Sequence, residues 1–104
     1  MEQFHAYENT GAGKKTYPYL INMQHPIADV LKHALVIPVI ECELLGAMPP
    51  EKICPVVTIQ GQTCVAMTHM MAGIPIKELG ASVADLTYYR DDLCGAVDFM
   101  IQGY

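Results

Sequence analysis

Pro55-Val56-Val57-Thr58-Ile59-Gln60-Gly61-Gln62-Thr63-Cys64-Val65-Ala66-Met67-Thr68 is the stretch that decides the fold class. Two runs rich in β-branched and apolar residues, 55–59 and 62–68, flank a two-residue Gln-Gly break, which predicts a β-hairpin. With Gln60-Gly61 as the loop, Cys64 stands opposite Val57 and Cys54 opposite Met67, so these two thiols are not cross-strand partners.

Toward the N-terminus the same texture continues. Leu35 to Ile40 is a buried strand interrupted by Pro38, and Leu44 to Pro50 is a turn of helix or an excursion closed by Pro49-Pro50. Thr16 to Met23 reads as a second strand, antiparallel to a first strand at Gln3 to Tyr7 across the loop tip Gly11-Ala12-Gly13-Lys14-Lys15. Pro18 places the second strand's beginning at an edge, a bulge or a strand start. The segment from Pro26 to Ala34 is irregular.

Toward the C-terminus, Ile74-Pro75-Ile76 is short and extended, and Gly80-Ala81-Ser82 turns the chain. From about Thr87 the period changes: Tyr89, Leu93, Ala96, Val97, Met100 and Ile101 form one helical stripe, about 20 Å long at 1.5 Å per residue. Asp91 and Asp92 suit the positive start of that helix. Gly95 weakens it by about 1 kcal/mol relative to alanine, which makes sense if something packs close to the backbone there. Gly103 is a terminator in the left-handed conformation. Five or more short strands followed by one helix predict a mainly β fold with a C-terminal α-helix: a small antiparallel barrel with the helix across it, in one domain spanning 1–104.

Composition limits what such a domain does. The 104 residues are 52% hydrophobic, enough to bury a core without metal or disulfide. Eleven acidic against six basic residues give a net charge of −5, and Lys14-Lys15 is the one basic pair. Phosphate contacts need clustered cations, so direct nucleic-acid binding is not expected, and a basic protein partner is the better match. No apolar run approaches the roughly 20 residues of a membrane span. Met1-Glu2-Gln3 lacks the basic and apolar regions of a signal peptide, so a cytoplasmic protein is expected.

No catalytic or metal motif stands out. His5, His25, His33 and His69 are scattered, with no His-x-x-x-His spacing, and no metal or cofactor is expected. Cys42, Cys54, Cys64 and Cys94 contain no Cys-x-x-Cys pair and read as reduced, mostly buried thiols. A Cys/His nucleophilic pair has no local sequence support. Asp85, Asp91, Asp92 and Asp98 read as solvated carboxylates. Met67 and Met100 are assigned to the core, and Met70 and Met71 to either core or surface.

Four signatures stand in a fixed order: Tyr17-Pro18-Tyr19-Leu20, Leu35-Val36-Ile37-Pro38, Pro55-Val56-Val57-Thr58-Ile59 and Met67-Thr68-His69-Met70-Met71-Ala72-Gly73-Ile74-Pro75. With Gln3-Phe4 and Tyr7 before them and Gln102-Gly103-Tyr104 after, the chain resembles the CcdB family, the toxin half of a bacterial toxin–antitoxin pair. The resemblance covers essentially the whole chain. It implies an SH3-like barrel shared with MazF-type ribonuclease toxins, and a non-enzymatic activity: binding the DNA gyrase A subunit and trapping the enzyme on cleaved DNA. It further implies neutralisation by a CcdA-like antitoxin, which would be this chain's route to operator DNA.

In that family the gyrase surface combines the end of the last helix with the loop after the second strand, here Gln24 to Asp29. Ile27 matches the family's apolar contact, and Ala28 is smaller than the isoleucine common there. His25-Pro26 replaces a Ser-Asp pair. At the helix end Gly103 matches a glycine, Asp98 replaces an asparagine, Ile101 a phenylalanine, and Gln102-Gly103-Tyr104 a terminal Trp-Gly-Ile. The gyrase-binding residues implied are thus Ile27, Ala28, Asp98, Ile101, Gln102, Gly103 and Tyr104. Val97, Met100 and Ile101 leave an apolar helix end that predicts a two-fold homodimer. The alternatives are a MazF-like ribonuclease, which needs more cations than the single arginine Arg90 and five lysines provide, and an inactive homologue that retains only antitoxin binding.

Overall fold

In the computed structural model, which describes residues 1–103, the Gln60-Gly61 break is a tight two-residue turn with φ of 52° and 78°. Positive φ at both positions matches the right-handed twist of the strands it joins. It connects β4 (Val56–Ile59) to β5 (Gln62–Ala66), with Val57 opposite Cys64 and Ile59 opposite Gln62. The expected register holds, and the bond from Ala66 N–H to the Pro55 carbonyl continues it toward Cys54. All four cysteines are free thiols.

Around this hairpin the described residues form one antiparallel sheet in the order β4-β5-β3-β2-β1-β7, with β6 also paired to β3. The strands are β1 (His5–Asn9), β2 (Tyr19–Asn22), β3 (His33–Glu41), β6 (Ala72–Pro75) and β7 (Leu79–Asp85). The sheet curls into a half-barrel, and α1 (Arg90–Gln102) closes its concave side. Phe4, Ala6, Ile21, Ile37, Val39, Val57, Ile59, Cys64 and Leu86 from the sheet side meet Leu93 of the helix in one buried core. Asn22, the one buried side-chain amide among the described residues, is satisfied: its Nδ2 donates to the Glu2 and Gln24 carbonyls and its Oδ1 accepts from the Gln24 N–H. An unpaired amide at that depth would be costly.

Pro38 does not interrupt β3. Leu35 directs its carbonyl to Met23 on the β2 side, so Pro38, three residues on, faces the opposite edge, where its carbonyl accepts from Met67 N–H. On that edge β3 passes from β6 (Val36 opposite Ala72) to β5 (Val39 opposite Ala66). A missing N–H at that gap removes no ladder bond, which is how a central strand tolerates proline.

Three further sequence expectations need correction. Gly80-Ala81-Ser82 does not turn the chain but lies inside β7, which bulges twice against β1 between the Ala6–Ala84, Tyr7–Ser82 and Asn9–Leu79 pairs. A Cβ on Gly80 would stand 3.0 Å from Thr10 Cγ2 and 3.1 Å from Glu8 Cβ. Close approach to β1, not turn geometry, explains this glycine. β1 begins at His5, later than expected, because Phe4 has a φ of 63°. That backbone lets Phe4 receive a bond from Leu86 N–H at 2.8 Å and give one to the Asn22 carbonyl at 2.7 Å while its ring enters the core. Met100, assigned to the core, is exposed. The helix stripe docks through Leu93 and Ala96, then outruns the sheet it packs on.

Candidate functional site

The helix that carries the site is launched by Asp85. Its Oδ1 accepts from the Thr87 hydroxyl at 2.6 Å and from the Thr87 N–H at 2.9 Å, and these two bonds hold its carboxyl below the usual range, with His5 a smaller contribution. A short 3-10 turn, Thr87–Tyr89, leads into α1, and Tyr89 reaches back so that its hydroxyl accepts from Thr58 N–H. Asp91 and Asp92 sit in the first turn as expected, favourable to the positive helix end. Leu93 and Ala96 then fix the helix on the core, and Val97 is half-buried against it.

Beyond Val97 every described residue except the half-buried Phe99 is exposed. Ile101 is 76% exposed and Met100 44%, while Asp98, Gln102 and Gly103 are also exposed. Gly103 has a φ of 79° and donates its N–H to the Phe99 carbonyl at 2.7 Å, the left-handed stop the sequence predicts. No basic residue lies in the last turn of α1, so no side chain of the helix itself offsets the negative end of its dipole, which lies beside Asp98. The tip is therefore apolar at Met100 and Ile101, with the Asp98 carboxylate exposed beside them. Tyr104 lies outside the described residues.

Of the loop residues, Ile27 is 83% exposed on a 3-10 turn (Pro26–Ala28) capped by His25 Nδ1, and Ala28 is half-buried. Gln24 ties the loop down, donating to the Ala28 and His33 carbonyls and accepting from Leu35 N–H, and the N-terminal ammonium holds Asp29 at 2.9 Å. Among the described residues no hydrogen bond joins this loop to the helix end.

A Cβ added at Gly95 would meet no atom within 4 Å beyond its own helix backbone, so nothing among the described residues packs closely there. Its open side lines a groove of about 470 Å3 between α1 and the 51–56 segment. Lys52 Nζ lies 5.8 Å from the Phe99 ring centre at one end of it, a cation–π contact.

Among the candidate catalytic groups one Cys/His pair meets in space. Cys54 Sγ lies 3.6 Å from His69 Nδ1, a juxtaposition no local motif signals. Yet Cys54 is buried and burial raises its pKa, which favours the inert thiol over a thiolate nucleophile. Burial likewise pushes the Cys64 thiol up to about 11. Arg90 is exposed at the helix start. Among the described residues no group of three His, Cys, Asp or Glu side chains comes together to hold a metal. Met71 is half-buried against the core; Met70 is exposed, its sulfur 3.4 Å from the Tyr17 hydroxyl.

A family described as CcdB protein matches residues 3–103, nearly the whole chain. The chain belongs to the CcdB family. Its members are toxins of toxin–antitoxin systems. Among solved structures, the Mycobacterium tuberculosis toxin MazF-mt6 is similar in fold, with a TM-score of 0.68 over 96% of each chain at 14% identity. The expected mainly β architecture, a barrel-like sheet with a C-terminal helix related to the MazF barrel, is thus the observed one. No helix among the described residues is long and apolar enough to cross a membrane.

Proposed function

We propose that this CcdB-family toxin acts without catalysis, binding the gyrase A subunit through the α1 tip and trapping the gyrase–cleaved DNA complex. A CcdA-like antitoxin neutralises it. The observation that carries the reading is the exposed helix end, where Ile101 and Gln102 project beyond the core next to Asp98. An exposed apolar side chain beside a carboxylate suits an apolar pocket with a basic group at its rim. The net charge of −5 points the same way.

Two copies of the chain pair about a two-fold axis through Val97, Met100 and Ile101, which brings two tips to one partner surface. Ile27 and Ala28 supply a second, separate contact from the loop after β2. The ribonuclease alternative draws on the barrel alone. It lacks a cationic cluster, since Arg90 stands on the surface at the helix start and the Cys54–His69 pair is held as a neutral thiol.

The test incubates the purified chain with gyrase, supercoiled plasmid and ATP in one arm and with purified RNA in the other. Linearised plasmid after detergent and protease, with RNA intact, is the expected result. RNA cleavage without any gyrase effect overturns the proposal in favour of a nuclease. Inactivity in both arms, with tight antitoxin binding, marks a homologue that has lost its target.

A further inference from the structure

A second surface on the molecule is unlike the rest of it. The segment from Asp29 to His33 and the turn after β6 enclose a groove of about 620 Å3. It is held open by backbone bonds: Ile76 N–H donates to the Lys32 carbonyl at 3.0 Å, and Leu31 N–H to the Ala28 carbonyl at 3.0 Å. Val30 is 88% exposed, Leu31 is more than half exposed, and Ile76 is half-buried along it. Two valine- and leucine-sized side chains left in water on a tethered loop form an apolar surface without a partner in the chain.

The charge on this groove opposes the charge of the protein. Two of the six cations, Lys32 and Lys77, line it, and neither makes an ion pair among the described residues. The one carboxylate on its lining, Asp29, is engaged by the N-terminal ammonium at 2.9 Å. An acidic chain thus presents one groove with apolar walls and a cationic rim.

We propose that this groove is a docking site for an acidic peptide segment carrying apolar side chains. Such a segment sets its apolar residues against Val30, Leu31 and Ile76 and its carboxylates near Lys32 and Lys77. Charge complementarity selects this occupant over the others. A second copy meeting the same face about a two-fold axis would set lysines against lysines. A nucleic acid would use the lysines but leave the aliphatic walls unused, and would face a net charge of −5. The groove uses none of the α1 tip residues but adjoins the loop after β2, with which it shares Asp29; the peptide titration contains no gyrase, so its outcome is separate from that of the gyrase test.

The probe is a fluorescein-labelled peptide of alternating Glu and Leu, about twelve residues long, titrated with the full chain and followed by anisotropy. Controls alternate Lys with Leu and Glu with Ser. Saturable binding of the Glu-Leu peptide is expected, with amide shifts in NMR confined to 29–33 and 75–77. Either pair of substitutions, Lys32→Glu with Lys77→Glu or Val30→Ser with Leu31→Ser, should weaken it by about tenfold or more, each removing one kind of contact. These side chains are exposed, and unchanged melting of the variants is the control for folding. Binding that is absent, insensitive to both pairs, or equal for the Glu-Ser peptide overturns the proposal. So does preferential binding of a single-stranded RNA oligonucleotide that the lysine variants lose.

Discussion

Two glycines illustrate how one residue type serves opposite ends in this chain. At Gly80 an added methyl would meet Thr10 and Glu8 at 3.0–3.3 Å, so Gly80→Ala is expected to cost roughly 1–3 kcal/mol through overpacking. At Gly95 the same methyl meets nothing, so Gly95→Ala should gain up to about 1 kcal/mol of helix propensity. Thermal melts of the two variants should therefore move in opposite directions, and parallel shifts would refute the packing account of Gly80. The buried thiols give a second prediction. Cys64 has a folded pKa raised by burial to about 11 from an ordinary value of 9.0, so between those values the unfolded chain sheds the proton first. Stability contributed by the neutral thiol is full below pH 9 and is lost as pH rises toward 11, with a slope of at most about 1.4 kcal/mol per pH unit for this group. Cys54 and Cys94 are raised in the same direction, also by burial first, and add to the fall. Urea unfolding at pH 8, 9 and 10 should give a declining free energy, with a shallower decline in Cys64→Ala; an unchanged slope would show that Cys64 does not contribute.

At the scale of elements, legibility in the sequence depends on whether the signal is local. The Gln60-Gly61 hairpin and the helix with its Gly103 stop announce themselves because turn chemistry and a 3.6-residue period are written in adjacent residues. β7 is hidden at Gly80-Ala81-Ser82 because small residues there answer a neighbouring strand, whose approach leaves no mark in their own sequence. Phe4 reads as part of a regular strand because nothing local demands its left-handed backbone; the bonds to Asn22 and Leu86 do, and they span 18 and 82 residues. The helix stripe correctly names Leu93 and Ala96 as buried, but periodicity does not tell where the sheet beneath a helix ends, so it wrongly puts Met100 inside. Of the candidate site, the exposed Ile27 and helix tip are reachable through family resemblance, whereas the Cys54–His69 contact and the Lys32–Lys77 groove arise only from tertiary proximity. The hairpin also yields a prediction. Gln60 holds a φ of 52°, a conformation asparagine adopts more readily than glutamine. Gln60→Asn should raise stability by a few tenths to about 1 kcal/mol, and the β-branched Gln60→Val should lower it. Equilibrium unfolding of both variants checks this, and an ordering with Val above Asn would contradict it.

For the whole molecule, the proposed function puts both assembly and action at the helix tip. A dimer through Val97, Met100 and Ile101 should sediment as such at micromolar concentration, and Met100→Glu with Ile101→Glu should release monomers that remain folded, because neither side chain is in the core. A wild-type monomer at that concentration would sink the pairing. The sharper test removes the end of the chain. Deleting Gly103 and Tyr104 takes away the bond from Gly103 N–H to the Phe99 carbonyl, a loss of about 0.5–1.5 kcal/mol that frays one turn. Leu93 and Ala96 still anchor the helix, so melting should fall by only a few degrees and antitoxin binding should persist. Gyrase trapping should nevertheless disappear if the tip is the contact. An aromatic ring near the end can stack on a guanidinium, worth roughly 0.5–2 kcal/mol. Tyr104 is the aromatic this chain has there, two residues beyond Gln102 across a glycine. Gln102→Trp should therefore preserve or strengthen trapping and should rescue a Tyr104→Ala variant in which trapping is weakened. If the truncated protein remains folded and still accumulates cleaved gyrase–DNA complex, the contact lies elsewhere on the molecule, with the Ile27 loop the next surface to mutate.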